Sequence, residues 1–232
     1  MPTLIKPRTT AAALDAARDA NDTAENLDAK AAAARAEAAR IDAEGVDVIV
    51  DDPSQVDRIG REVDAQKRLA GAYSIKAADA RVQRDDLIRQ ALLIESERLD
   101  KQADGAEKAA EQHQKKVDGL LAQLEELDGV SYQVAPLKND GFGLSDSWPT
   151  TRAEELRGEV GRDHFRASLI RYILERGESP EYASALDYAQ PSEGFYVVSM
   201  NNAMLAQNRE WFTAPLLAAY LAGDILDHTP EA

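Results

Sequence analysis

Residues 54–127 are the stretch that most constrains this chain, because 74 consecutive residues contain neither a proline nor a run of β-branched side chains. Such a stretch predicts one uninterrupted helix about 110 Å long at 1.5 Å per residue. A helix of that length does not form a core by itself. The remaining elements are therefore expected to be arranged by where they pack along it.

The predicted long helix carries two apolar stripes that lie on different faces. Steps of three and four residues, the spacing of a coiled-coil seam, define each stripe. The first runs through Val56, Ile59, Val63, Gln66, Ala70, Tyr73, Ala77, Ala80, Arg84, Leu87, Ala91 and Ile94, and the second through Leu99, Ala103, Ala106, Ala110, His113, Val117, Leu120, Leu124 and Leu127. Both stripes coexist at residues 87–94, where the pattern predicts that one packing partner ends and another begins.

A first helix is predicted at residues 10–44, capped by Thr9 or Thr10. Gly45 is expected to end it, and residues 46–53 alternate like an extended connection before Pro53 begins the long helix. Its core positions are Ala13, Ala17, Ala20, Ala24, Leu27, Ala31, Ala34, Ala38 and Ile41. So short a connection predicts an antiparallel coiled-coil hairpin, in which the first helix covers the long one to about residue 89.

Aromatic residues divide the chain, since twelve of the thirteen lie after residue 129. Bulky aromatics are typical of compact cores, and coiled coils do without them. The predicted fold is therefore mainly α, with an extended tail at residues 1–9, a coiled-coil hairpin at 10–129 that Gly129 ends, and a small end domain at 130–232. This domain is expected to fold alone. Its predicted elements are helices at 151–176, 179–189, 201–212 and 213–226 and two short strands at 130–137 and 195–198.

Charge and composition exclude several classes of function. The net charge is -15 and neither half of the chain is basic, so a nucleic-acid partner is not expected. The chain has no cysteine, hence no disulfide or thiolate metal site. The first ten residues lack the apolar core of a signal peptide, and the longest apolar run, at 214–226, is too short to span a bilayer. These features predict a protein of the cytoplasm or of a virion, without a membrane partner or a cofactor.

No catalytic motif emerges from the sequence. The three histidines are scattered, without the spacing of a metalloprotease site. His164, beside Asp163, has the best claim to chemistry, although a lone histidine on an apolar helix face is usually a packed residue. Gly141 and Gly143 lack the context of a nucleotide-binding loop. The prediction is a protein that is not an enzyme; an enzyme with its site in the end domain is the least favoured alternative.

Three features of the sequence together carry a resemblance to a known class of proteins. They are the acidic rod rich in Ala, Asp, Glu and Arg at residues 11–127, the absence of cysteine, and the aromatic-containing end domain from Val130. In this architecture the chain resembles the coiled-coil scaffolding and minor structural proteins of tailed bacteriophages. The resemblance implies assembly in many copies on a capsid, connector or tail, and it transfers no catalytic residues. The alternative is a cellular coiled-coil adaptor that docks a protein partner through its end domain.

The second stripe is the candidate interaction surface. Its large apolar side chains lie beyond the reach of the first helix, and monomeric proteins rarely leave such a patch in water. The interface residues proposed from the sequence are Leu99, Val117, Leu120, Leu124 and Leu127. Coiled-coil stripes pair with helices, so the expected partners are further copies of the chain, other structural proteins or both.

Overall fold

The structure is a computed structural model that describes residues 7–133, 152–177 and 213–229. Most of these residues are helical, and none of them forms a strand. The helices are α1, Thr10–Asp51; a single 3-10 turn, Pro53–Gln55; α2, Val56–Asp128; α3, Arg152–Arg176; and α4, Pro215–Ala222. The predicted helices at 179–189 and 201–212, the strand at 195–198 and residues 134–137 of the other predicted strand lie outside the described residues.

α1 begins as the sequence predicts, with the hydroxyl of Thr9 accepting a hydrogen bond from the backbone N–H of Ala12 at 3.2 Å. The alanine seam is confirmed, because all seven of its alanines are buried and Leu27 and Ile41 are partly buried. Alanines on the contact face allow two helix axes to approach more closely than leucines do. The seam is therefore the face on which α1 packs.

The predicted end of α1 at Glu44 is wrong, because the helix continues for seven further residues to Asp51. Gly45 is buried inside the helix and faces Ile59 of α2. Ile41, Gly45 and Ile49 are four residues apart and so share one helix face, where both isoleucines pack against the cluster of Ala38, Ile59 and Val63. The three valines that alternate like a strand, at positions 46, 48 and 50, are exposed.

Asp52 makes the turn between α1 and α2. Its carboxylate accepts hydrogen bonds from the backbone N–H of Ser54 at 3.0 Å, the hydroxyl of Ser54 at 2.7 Å and the side-chain amide of Gln55 at 3.0 Å. These bonds lower the pKa of Asp52, with the hydroxyl of Ser54 as the largest cause. Pro53 follows at the start of the 3-10 turn, where its missing N–H costs no hydrogen bond.

α1 and the first half of α2 pack as an antiparallel pair. Polar contacts join Asn21 to Arg84, Asp28 to Arg81 and Arg35 to Ser74. The residue numbers in these pairs increase along α1 and decrease along α2, so the two helices run in opposite directions. Along the first stripe of α2, every residue is buried or partly buried except Val56 at its start. The helical hairpin predicted from the sequence is thus present.

The chain divides into two compact units, and the division falls inside α2 between Ala91 and Leu92. Of the described residues, the first unit contains 7–91 and 226–229, and the second contains 92–133, 152–177 and 213–225. The division lies within residues 87–94, where the two apolar stripes coexist. Gly129 does end α2, with a left-handed φ of 70° and its N–H bonded to the carbonyl of Glu125.

In the first unit, residues after 225 return to α1. The guanidinium of Arg18 donates hydrogen bonds to the backbone carbonyls of Leu226 at 2.6 Å and His228 at 2.7 Å. It donates a third hydrogen bond to the carboxylate of Asp15 at 2.5 Å. An open cavity of about 500 Å³ lies beside this contact. It is lined by Arg18, Asn21, Asp22, Leu226, Asp227 and Thr229.

In the second unit, α3 packs antiparallel on α2. Ala153 and Leu156, near the start of α3, pack on Ala110, whereas His164 and Arg171 reach back to Asp100. The predicted helix at 151–176 is confirmed within one residue at its start. α4 ends at Ala222, four residues before the predicted end, because Gly223 adopts a left-handed φ of 86° and stops the helix.

Candidate interaction surface

The second stripe of α2 changes from buried to exposed along its length. Leu99, Ala103 and Ala110 are buried, and Val117 is partly buried. Leu120, Leu124 and Leu127 are 60%, 44% and 81% exposed. An exposed leucine alone is ordinary on a protein surface, but three at helical spacing form a continuous apolar ridge. Residues 113–128 of α2 are called the distal segment from here on.

The position of α3 explains the change. Its first turns pack on α2 at Ala110, with Ala106 also in contact, and α3 then runs back toward Asp100. Leu99, next to Asp100, is buried, with 2% of its surface exposed. Of the five interface residues proposed from the sequence, Leu99 is therefore internal. The other four lie on the distal segment, where the role proposed for them is a prediction.

The distal segment is electrostatically asymmetric. Lys115 and Lys116 are exposed near its beginning, Asp118 follows them, and three further acidic residues lie at its end. These are Glu125, Glu126 and Asp128, all exposed. The last turn of α2 contains no basic residue. Because the C-terminal end of a helix carries partial negative charge, these carboxylates occupy the end of α2 where a cation is favoured.

Just after α2, the hydroxyl of Tyr132 donates a 2.5 Å hydrogen bond to the carboxylate of Asp128. This bond raises the pKa of Tyr132, since removing the proton would place a second negative charge beside the carboxylate. Val130 and Tyr132 are both exposed, so apolar surface continues past Gly129.

His113 lies on α2 between the buried part of the second stripe, which ends at Ala110, and its exposed part, which begins at Leu120. Its side chain is partly exposed, yet its Nδ1 atom is buried without a hydrogen-bond partner in the described structure. It interrupts the second stripe one turn before Val117. A polar residue at one core position of a coiled coil can fix the register of pairing.

Polar residues of α2 and α3 meet at a place the sequence analysis did not predict. Asp100 lies 3.1 Å from Nδ1 of His164 and also pairs with Arg171. Glu95, buried on α2, accepts two hydrogen bonds from Arg98, at 2.7 and 2.9 Å. His164 thus has a carboxylate partner, but that partner is Asp100 on another helix and not its neighbour Asp163.

Asp163 is the most deeply buried charged residue in the described part of the chain, with 1% of its surface exposed. Its Oδ1 lies 3.3 Å from Arg162 and 3.8 Å from Arg166, while its Oδ2 has no hydrogen-bond partner. Burial is the main cause that lowers the pKa of Arg166, and the neighbouring Arg162 lowers it further.

Within 7–133, 152–177 and 213–229, no three His, Asp or Glu side chains are grouped closely enough to hold a metal ion. No described helix has the length and apolar character needed to cross a membrane.

Comparison with protein-family models, with curated proteins and with solved structures finds no match to this chain. The function of the molecule is therefore inferred from its own surface. Within the described structure, the distal segment of α2 combines exposed apolar side chains at helical spacing with a charge gradient.

Proposed function

We propose that this protein is a non-enzymatic structural or assembly protein that acts through coiled-coil contacts made by the distal segment of α2. The observation that carries the proposal is the exposure of Leu120, Leu124 and Leu127 at the spacing of a coiled-coil seam. In this role the chain works in several copies within a larger particle. The resemblance to phage scaffolding and minor structural proteins makes a virion or an assembling capsid, connector or tail the setting we favour.

The energetics of the ridge support a binding role. Fully burying a leucine side chain contributes on the order of 1.5 to 3 kcal/mol before the cost of ordering the partner. Leu120, Leu124 and Leu127 are already partly covered, so burying each of them contributes only part of that free energy. A ridge of this size is enough to drive association when other contacts add to it, as they do in an assembly with many copies.

The helical backbone of the distal segment also supports a binding role. The distal segment belongs to a helix of 73 residues, so the backbone that carries its side chains is helical before any partner arrives. Binding then costs less conformational entropy than it would for a flexible loop. Helix-in-groove and helix-on-helix recognition both depend on anchors at this spacing.

The double substitution Leu120→Glu/Leu124→Glu tests the proposal. It places charge on two neighbouring turns of the ridge and should abolish self-association or partner binding while α2 remains helical. Sedimentation velocity at micromolar to tens of micromolar concentration measures the association, and far-ultraviolet circular dichroism measures the helix content.

Ile75→Glu/Val82→Glu is the matched control, because Ile75 and Val82 are exposed on the same helix at 66% and 61%. It introduces the same charge on a different part of α2 and should leave association unchanged. If the two double variants behave alike, the distal segment is not the binding surface. A monomer that captures one cellular partner through residues 130–232 would instead favour the adaptor function.

A further inference from the structure

We infer that the distal segment pairs with the distal segment of a second copy of this chain, in antiparallel orientation about a two-fold axis. This inference rests on the proposed function and names the partner of the same surface. A two-fold interface uses the same patch on both copies, so one segment must be complementary to itself. The apolar spacing and the charge gradient each meet that condition.

The apolar spacing is self-complementary when one copy is reversed. A register that places Val117 opposite Leu127 of the second copy also places Leu120 opposite Leu124. The two-fold axis repeats both pairs, which gives four consecutive layers of large apolar side chains. All four residues lie on the stripe whose distal half is exposed. The register therefore covers Leu120, Leu124 and Leu127 in both copies at once.

The charges favour the antiparallel orientation over the parallel one. Reversing one copy brings Lys116 beside the acidic end of the other copy, which carries Glu126 and Asp128. A parallel pair would set lysines beside lysines and carboxylates beside carboxylates. Charge arrangement of this kind selects orientation and excludes the wrong pairing.

One specific ion pair follows from the register. Lys116 and Glu126 lie on the same flank of the apolar stripe, and antiparallel pairing brings like flanks together. Lys116 then lies level with position 128 of the second copy, two residues or about 3 Å along the axis from Glu126. The two-fold axis makes this pair twice. The lysine also supplies the cation that the last turn of α2 lacks.

In the described residues, the contact of α3 with α2 at Ala110 precedes the residues that pair. α3 contacts α2 at Ala110, and the 16 residues of the distal segment, about 24 Å of helix, follow that contact. In the proposed register, Ala110 of the second copy falls beyond Gly129, where α2 has already ended. Among the described residues, the contact between α3 and α2 in each copy therefore lies outside the proposed pairing.

Disulfide trapping tests the orientation directly, because the chain contains no cysteine of its own. The variant Val117→Cys/Leu127→Cys should form a covalent dimer on mild oxidation. The two positions are about 15 Å apart along one helix, too far for a bond within one copy. The single variant Val117→Cys should form none, since its cysteine meets Leu127 of the second copy. If the single variant cross-links and the double variant gains nothing, the pairing is parallel and the inference is wrong.

Charge reversal tests the ion pair in solution. Lys116→Glu should weaken self-association on the order of tenfold, measured by sedimentation. Lys116→Glu/Glu126→Lys restores the attraction in the antiparallel register and should bring the affinity back to within about threefold of the unmodified protein. Lys108→Glu makes the same charge change on an exposed residue outside the distal segment and should have little effect. Failure of the double reversal to rescue would overturn the proposed register.

The outcomes separate the two proposals. If the unmodified protein is a monomer at tens of micromolar but loses binding to a different protein in Leu120→Glu/Leu124→Glu, self-pairing is wrong and the assembly function stands. If Leu120→Glu/Leu124→Glu still self-associates, both proposals fail. Covalent dimers of Val117→Cys/Leu127→Cys, with rescue by the double charge reversal, support both.

Discussion

A methyl group placed on Gly45 would lie 2.7 Å from Cγ2 of Ile59, closer than real side-chain contacts allow. Ile59 is buried and its Cγ2 branches directly from Cβ, so it cannot rotate away freely. Gly45 thus lets α1 and α2 approach closely at the closed end of the hairpin. The residue that looked like a helix terminator is a contact residue.

Gly45→Ala should therefore be less stable than Gly71→Ala by about 1 to 3 kcal/mol, the usual cost of overpacking. A Cβ on Gly71, in the same unit, would meet nothing within 4 Å. That control should gain roughly 0.5 to 1 kcal/mol from better helix propensity. Chemical denaturation followed by circular dichroism measures both. Equal stability of the two variants would mean that Ile59 moves aside at no cost.

Asp52 gives the hairpin turn a dependence on pH. Its pKa is lowered from the ordinary 3.8 by hydrogen bonds from Ser54 and Gln55. Because the pKa of Asp52 is lower in the folded state, its ionised carboxylate stabilises the fold at pH values above its unfolded-state pKa. This stabilisation is lost as the pH falls through the folded-state pKa. The unmodified protein should be more stable than Asp52→Ala at neutral pH, and the difference should shrink below about pH 4. Melting temperatures over this range test it; a gap that stays constant would contradict it.

Asp100 joins α3 to α2 through Arg171 and His164. The side chains of Asp100 and Arg171 are 31% and 41% exposed, so solvent screens the pair. A double-mutant cycle of Asp100→Ala and Arg171→Ala should give a coupling free energy of about 0.2 to 1 kcal/mol. Urea unfolding of the four proteins measures it. A coupling near zero would show that the apolar contacts at Ala110 hold α3 without this pair.

The division of the chain inside α2 changes the expectation for fragments. Ala153 and Leu156 of α3 pack on Ala110, which a fragment of residues 130–232 lacks. A fragment of residues 92–232 keeps that surface and should unfold cooperatively and resist protease, whereas 130–232 should be digested faster. Limited proteolysis at matched concentration compares them. Equal resistance would support an end domain that folds alone, as the aromatic distribution predicts.

The sequence predicted features that depend on spacing along one helix. The alanine seam of α1 and the first stripe of α2 follow from a period of three and four residues, and burial confirms both. The sequence does not predict features that depend on which residue of another helix lies in contact. Gly45 reads as a terminator by local rules, and only the position of Ile59 gives it another role. Leu99 and Leu120 occupy equivalent positions on the second stripe, but α3 packs on α2 near only one of them.

The polar contacts between α2 and α3 could not be predicted for a related reason. Asp100 and Arg171 are far apart in sequence, and no short motif connects them. Their pairing depends on the direction and register in which α3 returns along α2. Asp163 shows the same limit, since an acid beside two arginines on a helix resembles an ordinary solvated face. Its burial becomes known only once neighbouring elements are placed.

The contact between Arg18 and the carbonyls of Leu226 and His228 spans 208 and 210 positions of the sequence. During translation, α1 and the first half of α2 emerge long before the residues that occupy this side of α1. The nascent hairpin therefore lacks this contact until residue 228 has been synthesised. Closing so large a loop late makes this contact slow to form compared with the local pairing of the two helices. A stop codon shortly before residue 226 would leave the hairpin complete in its helices but permanently missing this final contact.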